Sequence, residues 1–223
     1  MLADGLDITL RSLGVALLAT FMVMVVTIPT AYLLSRRQFY AKGLVSAVLM
    51  LPLVLPPTAI GLLLLILLSP NGPFKIGGVE LGLLFTWRAA VVASAVMSFP
   101  LAFRTARVAF DGVDPRLETM ASSLGYSFLR CFATVTVPLA RRGLAAAAIL
   151  AFLRGLGEFG ATVMIAGNIP GHTQTLALAI EAKQAAGKMG EALGYALLAV
   201  VLGLVSLVVA ERLLSQPSVT HTP

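Results

Sequence analysis

Long segments without charge dominate this sequence. A helix needs about 20 mainly apolar residues to cross the hydrocarbon core of a bilayer. Five segments satisfy this requirement: residues 12–35, 44–68, 81–103, 143–166 and 192–210. Only 12% of all residues are charged, against roughly 25% in a soluble domain. The sequence therefore predicts an all-α polytopic membrane helix bundle with five spans, formed by residues 1–214 and followed by a polar tail of residues 215–223.

The scarce residue types exclude several kinds of site. The only cysteine is Cys131, so the chain cannot form an internal disulfide. The two histidines and this cysteine do not have the spacing of a metal site. Glu158 is the only acidic residue within a predicted span, which leaves no acid and base pair for a membrane-embedded enzyme. We therefore expect no metal, no cofactor and no catalytic residue.

Basic residues fall mainly on one side of the predicted membrane. If the segment after the first span is cytoplasmic, ten basic and four acidic residues lie inside, and five of each lie outside. Lys and Arg accumulate in short cytoplasmic loops. This distribution predicts an N-terminus outside the cell and a C-terminus in the cytoplasm. It also accounts for the net charge of +6 without a nucleic-acid partner.

The cytoplasmic region 111–138 contains a predicted amphipathic helix. Asp114 and Pro115 form a typical helix start, because a carboxylate caps free amides and proline fits the first helical position. Apolar residues then recur at helical spacing, and Gly125 suits a left-handed turn at the helix end. The resulting compact knob would fit a groove in a partner protein. A helix on the membrane surface, or a simple connector, is the alternative.

Prolines interrupt the second predicted span in the segment LPLVLPPTAIG, residues 51–61. Pro52, Pro56 and Pro57 donate no backbone hydrogen bond and free carbonyl groups one turn back. At membrane depth such groups are tolerated where protein or a water-filled cavity satisfies them. One interpretation is a broken helix beside a translocation pathway, with Thr58 as a polar group. The other is a proline kink packed against neighbouring helices.

The fourth predicted span carries a charged pair within RGLGEFGATVMIAGNIPG, residues 154–171. Arg154 and Glu158 are four residues apart, so on a helix they share a face and can pair, which lowers the cost of placing them in a bilayer. Gly160 allows another backbone to approach closely. The pair either braces the bundle, or Arg154 contributes positive potential to an anion pathway.

Two segments are predicted to lie on the outer side. Asn168, Pro170 and Gly171 belong to a loop that is suited to meet an external binding protein or to gate the pathway. Residues 173–187 mix apolar and polar residues, which indicates a short interfacial or re-entrant helix. The alternative is a sixth membrane crossing, which would place three charged side chains in the bilayer.

The cytoplasmic region also resembles a known motif. Glu118, Ala121, Gly125, Val135 and Pro138 resemble the EAA loop of bacterial ABC importer permeases, with the glycine thirteen positions before the proline as in that family. Glu118 lies seven rather than six positions before the glycine. The resemblance implies that this region couples to a cytoplasmic ATPase. No G-x-x-x-x-G-K-[ST] motif occurs in the sequence, so ATP hydrolysis is expected from a separate subunit.

Other segments extend this resemblance over nearly the whole chain. LPLVLPPTAIG, SFPLAFRTARVAFDGVD and LGEFGATVMIAGNIPG, together with the EAA-like loop, resemble the permeases of molybdate ABC transporters. The resemblance implies the ABC importer permease fold in a bacterial inner membrane, a homodimer in the lipid bilayer, two ATPase subunits and an extracytoplasmic molybdate-binding protein.

The resemblance also bears on substrate and mechanism. We expect molybdate or tungstate to be held weakly by hydroxyls and backbone amides near Thr58 and Thr162, because tight binding midway would slow release. Sulfate and thiosulfate permeases share the LGEFG and AGNIPG patterns and remain the alternative substrate class. A carrier that works without an ATPase is a further alternative.

Overall fold

The computed structural model describes residues 2–69 and 82–214, and these residues form helices and connecting segments without any β-strand. The predicted tail, residues 215–223, lies outside the described residues. The α-helices are α1 (Leu2–Arg36), α2 (Lys42–Val54), α3 (Pro57–Leu68), α4 (Trp87–Asp111), α5 (Pro115–Ser123), α6 (Phe128–Cys131), α7 (Val137–Leu156), α8 (Gly160–Ala166), α9 (Leu176–Ala185) and α10 (Met189–Leu214). A π-helical segment, Phe132–Thr136, joins α6 to α7.

The helices agree with a membrane bundle. Four continuous helical stretches in the described residues are long and apolar enough to cross a bilayer, and the bent pair α2 and α3 makes a fifth span if it is counted as one. The angle between α2 and α3 is 111°. Helix α1 begins ten residues before the predicted span of residues 12–35, whereas α4, the helix of the third predicted span, begins only at Trp87. The predicted all-α membrane bundle is therefore confirmed, with four spans, or five if the bent pair counts as one.

Helix α4 forms the centre of the bundle. In the most apolar part of α4, 67% of the residues are buried, against 11% in the corresponding part of α10. Small side chains make this possible, because Ala93, Ala102 and Ala106 are fully buried and let α1 and α7 approach α4 closely. The large exposed apolar surface of α10 suits contact with lipid or with another membrane subunit.

The fourth predicted span differs from its prediction. Helix α7 ends at Leu156 and α8 begins at Gly160, so residues 143–166 do not form one continuous helix. Gly155 and Gly157 weaken the helix here, and the Glu158 carboxylate accepts a hydrogen bond of 2.8 Å from the Ala161 amide. This bond caps the start of α8 and stabilises the break. Arg154 and Glu158 consequently lie on either side of a helix end rather than on one helix face.

Helix α9 lies within the segment predicted to be interfacial or re-entrant. It has ten residues, which is too short to cross a bilayer. Leu176, Leu178 and Ala179 are buried. The Ser12 hydroxyl accepts a hydrogen bond of 2.8 Å from the Leu176 amide, which ties α9 to α1. The structure thus favours the short helix over a sixth crossing.

Candidate functional site

The knob, defined here as residues 115–131, is built by local backbone chemistry. The Asp114 carboxylate accepts a hydrogen bond of 2.9 Å from the Arg116 amide and caps α5. Gly125 has a φ of +83°, which favours glycine. The Tyr126 amide donates to the Ala121 carbonyl at 3.1 Å, and the Gly125 amide donates to the Ser122 carbonyl at 3.0 Å. These two bonds form a Schellman motif, so Gly125 sets the angle between α5 and α6.

The knob presents apolar side chains to its surroundings. Leu124 is 79% exposed and Leu129 is 75% exposed. Leu117, Met120 and Phe128 are exposed as well, whereas Ala121 is buried beneath them. Exposed apolar side chains concentrated on a small helical projection indicate a protein-binding or membrane-binding face.

Glu118 points away from this apolar face. Its carboxylate lies among Tyr32 and Arg36 of α1 and Thr136 of the π-helical segment. Sequence reasoning missed both Arg36 and Thr136. Arg36 contributed there only to the count of cytoplasmic basic residues, and Thr136 was not singled out within the cytoplasmic region 111–138. Of the other residues in the predicted loop, Val135 is half-buried and Pro138 is exposed in the first turn of α7.

The second candidate region is the bend between α2 and α3. Pro52 lies inside α2, while Pro56 precedes α3 and Pro57 occupies its first position. A Cβ atom placed on Gly160 would lie 2.7 Å from the Pro57 Cβ, so the start of α8 packs directly against the bend. The two sequence segments that were predicted separately to line a pathway therefore meet in the structure.

A second glycine continues this close contact. A Cβ atom on Gly61 would lie 2.8 Å from the Met164 Cβ and 2.9 Å from the Ala161 Cα. The spacing of α3 and α8 thus depends on the absence of a side chain at Gly61. The sequence analysis had not assigned this residue a role, although it ends the quoted segment LPLVLPPTAIG.

We expect Gly61→Val to lower the thermal unfolding midpoint of the purified protein in detergent. Forcing a side chain into a packed contact costs about 1–3 kcal/mol, and here the backbone of α8 cannot move aside without breaking its contact with α3. Gly203→Val is the matched control, since a Cβ atom on Gly203 meets nothing within 4 Å. Equal midpoints for the two variants would show that the α3–α8 contact is not tightly packed.

The Arg154–Glu158 pair lies at the break between α7 and α8. The Arg154 Nη1 and Glu158 Oε2 atoms are 2.7 Å apart, and the Glu158 side chain is 1% exposed. The Arg154 side chain is 30% exposed. Glu158 is thus enclosed by protein, while the Arg154 side chain extends from it towards the surface of the chain.

The two predicted hydroxyl residues have different environments. Thr58 is exposed at the start of α3. Thr162 is 1% exposed, and its hydroxyl oxygen has no hydrogen-bond partner within residues 2–69 and 82–214. A buried polar atom without a partner is destabilising by about 1–3 kcal/mol.

The predicted outer loop is held by its own polar groups. Asn168 donates to the Leu178 carbonyl at 3.0 Å and accepts from the Gln174 amide group at 2.9 Å. Pro170 and Gly171 are exposed, and they line a cavity of about 420 Å³ together with Arg11.

Two lysines border the same cavity, one in α9 and one between α9 and α10. Lys183 and Lys188 line it. A hydrogen bond from the Lys183 ammonium to the Glu191 carboxylate, 2.5 Å long, raises the pKa of this lysine. Among the described residues, no group of three His, Cys, Asp or Glu side chains could hold a metal ion.

Comparison with known proteins identifies similar transport proteins. Residues 24–216 match the family described as binding-protein-dependent transport system inner membrane component. The chain is 41% identical over 208 residues to the molybdenum transport system permease protein ModB of Haemophilus influenzae, which covers 91% of this chain and 90% of that protein. It is 41% identical over 210 residues to the protein of the same name from Escherichia coli K12, covering 92% of this chain and 91% of that protein.

Two further similarities are more distant. The sulfate transport system permease protein CysT of Salmonella typhimurium is 36% identical over 152 residues, which cover 67% of this chain and 55% of that protein. A structure described as the crystal structure of an amino acid ABC transporter with histidines has a TM-score of 0.60 at 18% identity, covering 95% of this chain and 93% of that chain. The structural similarity shows a shared fold.

Proposed function

Because the chain belongs to the family of binding-protein-dependent transport system inner membrane components, we propose that it forms the membrane pathway through which an ATP-driven importer carries molybdate into the cell. The observation that carries this proposal is the 41% identity to molybdenum transport permeases over more than nine tenths of the chain. Tungstate is a second substrate of the same chemistry. Sulfate is the alternative, which the shorter match to a sulfate permease supports less well.

In this proposal the chain is a non-catalytic transport subunit. Two ATPase subunits bind the knobs of two permease copies on the cytoplasmic side, and a molybdate-binding protein docks on the outer side near Asn168, Pro170 and Gly171. The charge distribution supports this orientation, with the N-terminus outside the inner membrane and the C-terminus in the cytoplasm. The exposed apolar face at Leu124 and Leu129 supports a protein partner for the knob.

The pathway in this proposal passes the contact between the α2–α3 bend and α8. Closure of the ATPase subunits displaces the knob, and the helices attached to it switch between two packed arrangements. Pro52, Pro56 and Pro57 provide the bend, and Gly160 lets α8 lie against it. A dianion that passes through this pathway is attracted by the hydroxyls of Thr58 and Thr162 and by the positive potential of Arg154, but it is not bound tightly.

The experiment that tests the proposal is ATP hydrolysis and oxyanion uptake by the complex in lipid vesicles. The chain is reconstituted with the ATPase and the binding protein from the same organism, and molybdate, tungstate and sulfate are compared. We expect molybdate to stimulate hydrolysis and to accumulate inside the vesicles. Stimulation by sulfate alone would overturn the substrate, and uptake without the ATPase would overturn the ATP-driven mechanism.

A further inference from the structure

Helix α1 is joined to the knob by one side-chain cluster, defined as Tyr32, Arg36, Glu118 and Thr136. The Glu118 Oε1 atom accepts hydrogen bonds from Arg36 Nη2 at 2.9 Å, Arg36 Nε at 3.1 Å and Thr136 Oγ1 at 2.8 Å. The Tyr32 hydroxyl lies 3.4 Å from the Glu118 Oε2 atom. Glu118 is therefore held by its own chain, mainly through the three hydrogen bonds that its Oε1 atom accepts.

The cluster is shielded from solvent. The Arg36 side chain is 14% exposed and the Glu118 side chain is 17% exposed. Arg36 Nη2 also donates to the Val113 carbonyl at 2.9 Å, just before α5 begins. Hydrogen bonds between charged groups are stronger than neutral ones and weaken less when water is excluded. The guanidinium thus holds both the approach to α5 and its first turn.

Aromatic packing supports the same joint. The Tyr32 ring contacts Phe110 at a centroid distance of 5.5 Å and Phe132 at 4.9 Å. It also lies 6.0 Å from Phe128 of the knob. Tyr32 and Arg36 are one helical turn apart. The last turn of α1 therefore packs between α4, α6 and the π-helical segment.

The chain connectivity shows why side-chain contacts between α1 and the knob matter. Residues 112–114 link the knob covalently to α4, and residues 132–136 link it to α7. Helix α1 has no covalent connection near the knob, since Arg36 and Glu118 are 82 positions apart. A displacement of the knob therefore reaches α4 and α7 through the backbone, but reaches the end of α1 through side chains.

From this geometry we propose that Arg36 and Glu118 form a positioning pair that makes the end of α1 move with the knob when the ATPase acts. Glu118 does its work inside the permease and not on the surface of the ATPase. The inference rests on the proposed function, because it assumes that a motor displaces the knob. It assigns to Arg36 a role in coupling that the EAA-like pattern does not contain.

The test compares oxyanion uptake per ATP hydrolysed for the reconstituted complex with molybdate. We expect Arg36→Gln, which lies outside the knob, to bind the ATPase and hydrolyse ATP as the unchanged chain does, and Glu118→Gln is compared with it at equal ATP hydrolysis. Uptake per ATP falls about tenfold in each, the smallest loss expected when a hydrogen bond to a charged group is removed. The exchanged pair Arg36→Glu with Glu118→Arg recovers at least part of this loss, because the attraction is restored.

Two further variants keep the test decisive. Arg37→Gln is the control, since Arg37 is the exposed neighbour of Arg36, and we expect it to leave the ratio unchanged. Thr136→Val keeps the side-chain shape and both charges while removing one of the hydrogen bonds to Glu118. We expect it to lower oxyanion uptake per ATP a few-fold, even if the other single variants fold poorly.

Three results would overturn the inference. Normal coupling in Arg36→Gln with loss in Glu118→Gln would indicate that Glu118 contacts the ATPase directly. An exchanged pair no better than the single variants, or unchanged coupling in Thr136→Val, would reduce the cluster to a structural contact. Failure of the proposed function is distinguishable from all of these, because the unchanged chain would then show no ATP-dependent uptake.

Discussion

Replacing Gly125 with valine is expected to abolish productive association with the ATPase and to lower ATP-dependent uptake at least tenfold. The φ of +83° at this position costs a residue with a Cβ atom about 1–2 kcal/mol, and a β-branched side chain tolerates it least. The backbone would relax by leaving the left-handed region, which breaks the bonds from Tyr126 to Ala121 and from Gly125 to Ser122. Helices α5 and α6 would then present their apolar side chains at a different angle. Co-purification with the ATPase and uptake in vesicles measure the effect.

Two controls separate this effect from general instability. Gly125→Asn keeps a residue that enters the left-handed region readily, so it should retain most of the association. Gly187→Val imposes a comparable strain, with φ of +72° and open space around the residue, but between α9 and α10. We expect it to bind the ATPase normally. Loss of association in Gly187→Val, or normal association in Gly125→Val, would contradict the role of the turn.

The turn at Gly125 shows which parts of the fold the sequence predicts well. Asp114 and Gly125 act on amides and carbonyls within a few residues of themselves, so residue type and spacing are sufficient to place the two ends of α5. The membrane character of the bundle follows from hydropathy for a similar reason, because the bilayer sets the length of an apolar segment that crosses it. These features depend on short stretches of sequence.

The partners of Glu118 could not be predicted in the same way. Arg36 is 82 positions away and one of ten basic residues assigned to the same side, and nothing in the pattern selects it. The break after Leu156 was missed for another reason. The four-residue spacing of Arg154 and Glu158 is compatible with one continuous helix. The hydrogen bond from the Ala161 amide to the Glu158 carboxylate, which stabilises the break, is evident only in the three-dimensional structure.

The two candidate regions are connected by α7. This helix starts beside the knob at Val137 and ends at Leu156, next to Glu158. Its 20 residues span about 30 Å at 1.5 Å per residue. Helix α4 runs between the same two ends, because the Phe85 amide just before it donates to the Ile165 carbonyl of α8 at 2.8 Å. Two packed helices therefore connect the knob to the residues that contact the α2–α3 bend.

The Arg154–Glu158 pair lies at the end of α7 that is remote from the knob, and because Glu158 is enclosed, removing this acid should have a large effect. Glu158→Gln keeps an oxygen for the Ala161 amide but leaves Arg154 without its ion-pair partner. Breaking a buried pair from one side is destabilising by about 3–5 kcal/mol, and the 30% exposure of Arg154 favours the lower end of that range. We expect a lower thermal unfolding midpoint in detergent and loss of uptake.

The double variant Glu158→Gln with Arg154→Met decides what the pair does. It removes both charges and keeps the cap on α8, so it should regain most of the lost thermal midpoint, because no unpaired charge remains. If Arg154 contributes positive potential to a pathway for dianions, uptake should stay at least tenfold below that of the unchanged chain despite the recovered stability. Recovery of uptake together with stability would instead assign the pair to bracing the bundle, and the dianion would then depend on hydroxyls and backbone amides alone.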